Sequence, residues 1–237
     1  MTDIGGPTGS PPPIELTMDP GILPVVRLGC VQGAPVAVGP RGEGLDEVIA
    51  DTCRDLTQRY RGRPPGEIDG LARARDLYRA FGIDPTKHRP SSESLLRRVL
   101  LGKGFPAILN AVDLCNLLAL RFLLSLGLYD VERLEPPVLL RRGRAGEVYE
   151  GIRKDSVHLE GRPVLVDARG PFGNPTSDSL RTAVTTDTRS IWMVIFAPAG
   201  YPGDRLRDHV RESRASFERY LAPPGETVRT TGSLLPG

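Results

Sequence analysis

HRPSSESLLRRVLLGKGFPAILNAVDLCNLLALRFLLSLGLYD, residues 88–130, is the stretch whose reading decides the fold. It divides into two helices at a glycine and proline break. Pro90 disfavours helix before it, Ser91 or Ser92 can accept a bond from a first-turn amide, and Glu93 suits the positive end of a starting helix. Leu95, Leu96, Val99 and Leu100 share one face, and Gly102 closes the helix. The second helix is expected from near Pro106, a residue tolerated in a first turn because its missing amide would have had no partner there. Ile108, Leu109, Val112, Leu114, Cys115, Leu117, Leu118 and Leu120 leave it little solvent-facing surface, so it reads as a central helix.

Only Asn110, Asp113 and Asn116 interrupt that apolar surface. At a spacing of three, each lies roughly 60° further back round the helix than the last, which makes a slanted polar strip. A buried polar group left unpaired costs about 1–3 kcal/mol, so the strip needs partners. Either it binds loop backbone, or Asn116 faces a ligand pocket.

Before this stretch, residues 1–13 carry glycine, proline and polar residues without a hydrophobic period and read as a disordered tail. Around Leu23 to Val38, short apolar runs alternate with glycines, as for two short strands turning through Gly33. Leu45, Val48, Ile49, Cys53, Leu56 and Tyr60 recur at helical spacing, as do Ile68, Leu71, Tyr78 and Phe81. Beyond Asp130 the texture turns to short strands in PPVLLRRG, EVYEGI and RPVLVDARG. The apolar run from Ser190 to Ala197 is expected to be buried on both faces. The turn-rich GPFGNPTSDSLR, beside Asp167, reads as a pocket rim or as a surface excursion. A charged helix with Leu206, Val210, Phe217 and Leu221 on its apolar edge follows, then a second tail over residues 223–237. One globular domain over residues 14–222 is expected.

The 237 residues carry a net charge of only +2, which argues against a chain coated by polyanions throughout. The charge is uneven: Arg54 to Lys103 hold 12 Lys and Arg against 6 Asp and Glu. Arg73, Arg75, Arg79, Lys87, Arg89, Arg97, Arg98 and Lys103 are therefore the candidate phosphate contacts, against the alternative of a solvated arginine-rich exterior. No run of ~18 apolar residues exists, and Asp3 and prolines stand where a signal peptide needs an apolar core, so the expectation is a cytoplasmic protein without membrane association. Cys30, Cys53 and Cys115 are odd in number and lack metal-ligand spacing, and His88, His158 and His209 are isolated. No metal and no cofactor is expected. A GxSxG elbow, a GxxxxGK phosphate loop and a complete GxGxxG are all missing. Asp113, Asp130, Glu147, Asp167 and Asp187 are candidate acids or bases with nothing in the sequence to show that two converge.

Five segments occur in a familiar order: RPSSESLLRRVLLGKGFP, AVDLCNLLALRFLLSLGLYDVERL, LLRRGRAGEVYEG, VLVDARG and TTDTRSIWMVIF. Over residues 85–197 they resemble the tRNA-editing domain of the phenylalanyl-tRNA synthetase beta subunit and its freestanding relatives. There, a Val-Asp-x-Thr-Asn helix leads into a loop ending in aromatic-Asp. The resemblance implies an α+β fold with a layered, β-sandwich-like, sheet-rich core covered by helices. It also implies a tRNA or aminoacyl-tRNA partner and hydrolysis of a wrongly attached aminoacyl ester. Asn116 matches the family asparagine and Cys115 stands at its threonine position. Asp130, Asp167 and Thr188 complete the substrate-binding set carried over. The family histidine falls on Gly127 and its glutamate near Val194 or Ile195, and neither glycine nor an aliphatic side chain can orient water. The alternatives are a non-catalytic module binding a free amino acid or related small molecule, and a structural partner of a translation enzyme.

Overall fold

Strand β9, Ile191–Pro198, is buried along its whole length and its side chains sort alternately onto two cores. In the computed structural model, which describes residues 12–64, 67–152 and 154–235, β9 lies between β2 (Val26–Ala34) and β3 (Ser125–Asp130), antiparallel to both. Strand β10, Arg229–Leu235, adds to the far edge of β2, giving the order β10-β2-β9-β3. Gly33 is therefore not a turn. It lies inside one continuous strand, where a Cβ would come 2.8 Å from Cδ2 of Phe217. The expected tail over 223–237 also gives way, because the bare edge of β2 supplies a ladder that local composition does not reveal. The tail expected over residues 1–13 falls, for residues 1–11, outside the described part.

Ile191, Met193, Ile195 and Ala197 face helices α4 (Asn110–Phe122) and α5 (Gly203–Tyr220), with α1 (Glu43–Tyr60) beside them. Trp192, Val194 and Phe196 face a second sheet with order β1-β4-β7-β8, namely Leu16–Met18, Val138–Arg142, Pro163–Asp167 and Gly170–Gly173. Leu77, Tyr78 and Phe81, from α2 (Asp69–Ala80) and its end, close that inter-sheet core. A hairpin, β5 (Val148–Gly151) with β6 (Lys154–His158), flanks the second sheet. Helix α3, Ser91–Leu100, joins α1, α2 and α4 in a smaller cluster around Leu56, Leu71, Leu96 and Leu120. The molecule is thus an α+β layering of two packed sheets with helices.

Two helix starts differ from expectation. Neither Ser91 nor Ser92 caps α3; the N-cap is Pro90, and both hydroxyls are buried without partners among the described residues. Helix α4 begins at Asn110 rather than near Pro106, because Leu109 is extended and Asn110 bonds back to an earlier loop. Among the described residues, no helix is long and apolar enough to cross a membrane.

Candidate functional site

The polar strip of α4 divides by role. Asn110 accepts from Gly39 N at 3.0 Å and donates to Ala37 O at 2.8 Å, so it fastens the loop after β2. Asp113 accepts from Ile108 N and lies 3.5 Å from the Arg41 guanidinium; burial raises its pKa, with that amide and that arginine opposing. These two follow the loop-backbone alternative. Asn116 is half-buried and its side chain has no hydrogen-bond partner among the described residues. Its neighbour Cys115 is enclosed in the helical core, and burial, with Asp178 adding repulsion, keeps the thiol protonated.

The Asp178 that Cys115 senses belongs to the turn-rich segment between β8 and β9, and it is not among the acids that the sequence singles out. Residues 174–178, NPTSD, are held by three tyrosine hydroxyls. Tyr78 donates to Pro175 O at 3.0 Å, Tyr149 donates to Ser177 O, and Tyr129 donates to Asp178 Oδ1 at 2.9 Å. Asn174 closes the turn on Thr176 N and Ser177 N and donates to the Tyr149 hydroxyl. The Leu128 amide also donates to Asp178, at the outer edge of β3. Burial pushes the Asp178 carboxyl up to about 7, with the Tyr129 hydroxyl and the Leu128 amide opposing. The signal for this acid is the NPTSD loop itself, whose role as a rim is legible while its anchor is not.

Gly127, where the histidine of the resemblance falls, shares a strand face with Tyr129. A Cβ at Gly127 or at Gly173 would overlap the Tyr129 hydroxyl. The tyrosine phenol therefore fills the space over Gly127, beside its β-partner Val194.

The other carried-over residues form two linked polar knots. Asp130 accepts from Thr188 Oγ1 at 2.7 Å and from Glu132 N at 3.0 Å, and Thr188 in turn accepts from Thr185 N. Asp167 receives Arg181 on both oxygens, at 2.9 and 3.0 Å, with Glu135 N and Arg169 N as further donors. Arg181 also donates to Arg133 O, which ties the second knot to the turn after Asp130. Both carboxylates are buried and saturated, so they brace the rim instead of offering a free acceptor. Among the described residues, no group of three or more His, Cys, Asp or Glu side chains is gathered for a metal ion.

With this geometry in place, the B3/4 domain family model matches residues 73–223. The chain belongs to the B3/4 domain family. Its B3/4 span includes α4, β3, the 174–178 loop and β9, and so every residue of the candidate site. Among solved structures, the chain is similar to an N-terminal fragment of the phenylalanyl-tRNA synthetase beta-subunit from Pyrococcus horikoshii, at 14% identity and a TM-score of 0.44. That match covers 94% of this chain and 55% of the fragment, so the chain spans about half the length of that relative. No curated protein matches it.

The basic residues at the start of the B3/4 span differ in how they are paired. Arg75 is bound through two nitrogens, both at 2.8 Å, to the wholly buried Glu93, and Arg89 lies 3.3 Å from the same carboxylate. Arg79 pairs with Asp76 on the surface, and Arg98 donates to Gly104 O. Arg73, Lys87, Arg97 and Lys103 are exposed and make no ion pair among the described residues.

Proposed function

We propose that this B3/4 domain protein binds aminoacylated tRNA and hydrolyses its aminoacyl ester, with the aminoacyl end seated between Asn116 and the 174–178 loop. The observation that carries this reading is Asn116. It is the one member of the α4 strip with no partner among the described residues, it is half-buried, and it adjoins Cys115, whose thiol senses Asp178. The family membership and the resemblance to the editing domain supply the substrate class. The exposed Arg73, Lys87, Arg97 and Lys103 are the phosphate contacts of the proposal.

The chemistry follows from what the site offers. The Cys115 thiol stays protonated, so attack falls to water. A carboxyl poised near neutrality, that of Asp178, accepts a proton as the water oxygen bonds to the ester carbonyl carbon. Backbone amides stabilise the oxyanion, and collapse breaks the bond to the ribose oxygen, which takes the proton back. Tyr129 and the Leu128 amide hold the carboxyl in place. In this reading the reaction takes place in the cytoplasm, beside translation.

A second reading is binding without hydrolysis, favoured by the Tyr129 phenol standing where the resemblance places its histidine. Loss of label from a panel of correctly and wrongly aminoacylated tRNAs, for the wild type and for Asn116→Ala at matched folding, separates the two. Release that depends on Asn116 supports the hydrolase. Binding of charged tRNA without release selects the second reading, and binding of neither charged nor uncharged tRNA at low salt removes both.

A further inference from the structure

A sizeable cavity lies away from the site described above. A cleft of about 840 Å³ opens between α1 and the turn joining α3 to α4, and most of its lining comes from residues that precede the B3/4 span. Three arginines, Arg41, Arg54 and Arg61, line it against one acid, Asp46. Its apolar part includes Ile49, Cys53 and the half-buried ring of Phe105, over which the Arg41 guanidinium lies at 6.0 Å.

The cations differ in availability. Arg41 is engaged with Asp46 at 3.0 Å and Asp113 at 3.5 Å. Arg54 pairs with Asp51 where both side chains are mostly exposed, an arrangement of small net stability that an incoming anion can displace. Arg61 is exposed and makes no ion pair among the described residues. Gly102 and Gly104, on the opposite wall, have open space where a side chain would project, which leaves room for a flat group beside the aromatic ring. A cationic groove and an aromatic ring are the elements by which proteins hold unpaired nucleotides, and this cleft has both, with a bare backbone wall beside the Phe105 ring.

We infer that this cleft binds a single-stranded segment of RNA, with a base against Phe105 and the phosphates at Arg61 and Arg54. The exposed Lys103 and Arg97 continue the positive surface beyond the α3 end of the cleft. An acidic peptide would use the same charges but has no call on the aromatic face and the glycine wall together. The assignment rests on the reading of the chain as a tRNA-binding protein and adds where the unpaired strand lies.

The test is fluorescence anisotropy at low salt with two RNA probes, a 5′-labelled ACCA tetranucleotide and full-length uncharged tRNA. The proteins are the wild type, Arg61→Glu, Phe105→Leu and, as a charge control on α5, Arg207→Glu. Arg61→Glu alters an exposed side chain and so keeps the fold, which covers the case in which the Phe105 variant is destabilised. Arg61→Glu is expected to weaken the tetranucleotide about tenfold and to reduce the dependence of log K on log salt by about 0.7 for each phosphate that is no longer neutralised. Phe105→Leu should weaken it about tenfold by removing the stacking surface, and Arg207→Glu should leave it unchanged. Unchanged tetranucleotide binding in both cleft variants, with tRNA still bound, overturns the cleft assignment and leaves the functional reading standing. An oligoglutamate peptide that binds in an Arg61-dependent way, where the tetranucleotide does not bind, overturns it in favour of an acidic protein partner. A wild type that binds neither RNA overturns the functional reading as well.

Discussion

The two faces of the sheet β10-β2-β9-β3 solve the same burial problem with different chemistry. Against the helices, Ile191, Met193 and Ile195 meet Leu114, Leu118 and Val210, and the titratable ring there, His209, is stacked on Phe122 at 4.0 Å. Burial, aided by Arg205, pushes that imidazole down to about 4. Against the second sheet, Tyr78 and Tyr129 present hydroxyls that, with Tyr149 from the flanking hairpin, fasten the 174–178 loop, and the acid there, Asp178, is pushed up to about 7. A strand with period-two alternation can therefore dedicate one face to packing and the other to holding a loop in place. Neighbouring residues of β3, Leu128 and Tyr129, belong to different sides of that division.

The largest expected difference comes from truncation. Leu118→Ala on the helical face should cost about 2–5 kcal/mol by leaving a cavity. Tyr129→Phe on the other face should cost about 1–3 kcal/mol by leaving Asp178 short of a donor. Equal costs in urea denaturation would break the contrast between packing and fastening. Overpacking sharpens it next. Gly127→Ala drives a methyl into the rigid Tyr129 phenol and should cost about 1–3 kcal/mol. Gly29→Ala meets the methyl ends of Val210 at 2.8 Å and Leu206 at 3.2 Å, where small shifts of those side-chain ends relieve the contacts, and its midpoint should move less.

The smallest effects are in pH dependence, where the two faces carry opposite signs. His209 has its folded pKa below the ordinary 6.5, so it withdraws stability as pH falls from about 6.5 towards 4. Asp178, faced by Tyr129, Tyr149 and Cys115, has its folded pKa above the ordinary 3.8, so its contribution is fully present below that value and is lost as pH rises through about 7. Between about pH 4 and 6.5 the two slopes oppose. Denaturation midpoints at pH 4.5, 5.5, 6.5 and 7.5 should therefore fall more steeply towards acid in Asp178→Asn than in the wild type. Above pH 7, Asp178→Asn should raise Tm by about 2–4 °C, the shift that each kcal/mol brings at this chain length. A wild type and variant with parallel profiles would remove the opposition.

Much of the architecture was legible because it was local. The helical periods of α1, α2 and α3 and the apolar run of β9 could be read directly, since burial writes itself into spacing. What escaped depends on distant partners. The start of α4 was displaced because the loop at Ala37 and Gly39 recruits Asn110. Gly33 reads as a turn because its close approach to Phe217 cannot be seen along the chain. At the site, Asn116 stands out in the sequence as a polar interruption, whereas Asp178 is marked only by its turn-rich loop, since its raised pKa comes from enclosure beside β3, Tyr129 and Tyr149. Asp130 and Asp167 were visible as acids, but the partners that consume their oxygens, Thr188 and Arg181, lie 58 and 14 residues away.

Strand β10 pairs with β2, and both lie outside residues 73–223, so two of the four strands in the central sheet come from the flanks of the family span. Cutting the gene to that span would strip β9 of its β2 neighbour and expose a wholly apolar edge eight residues long. Such an edge recruits other chains. Fragments trimmed to the family boundaries should collect in inclusion bodies, and the working unit for expression must retain at least residues 26–34 and 229–235.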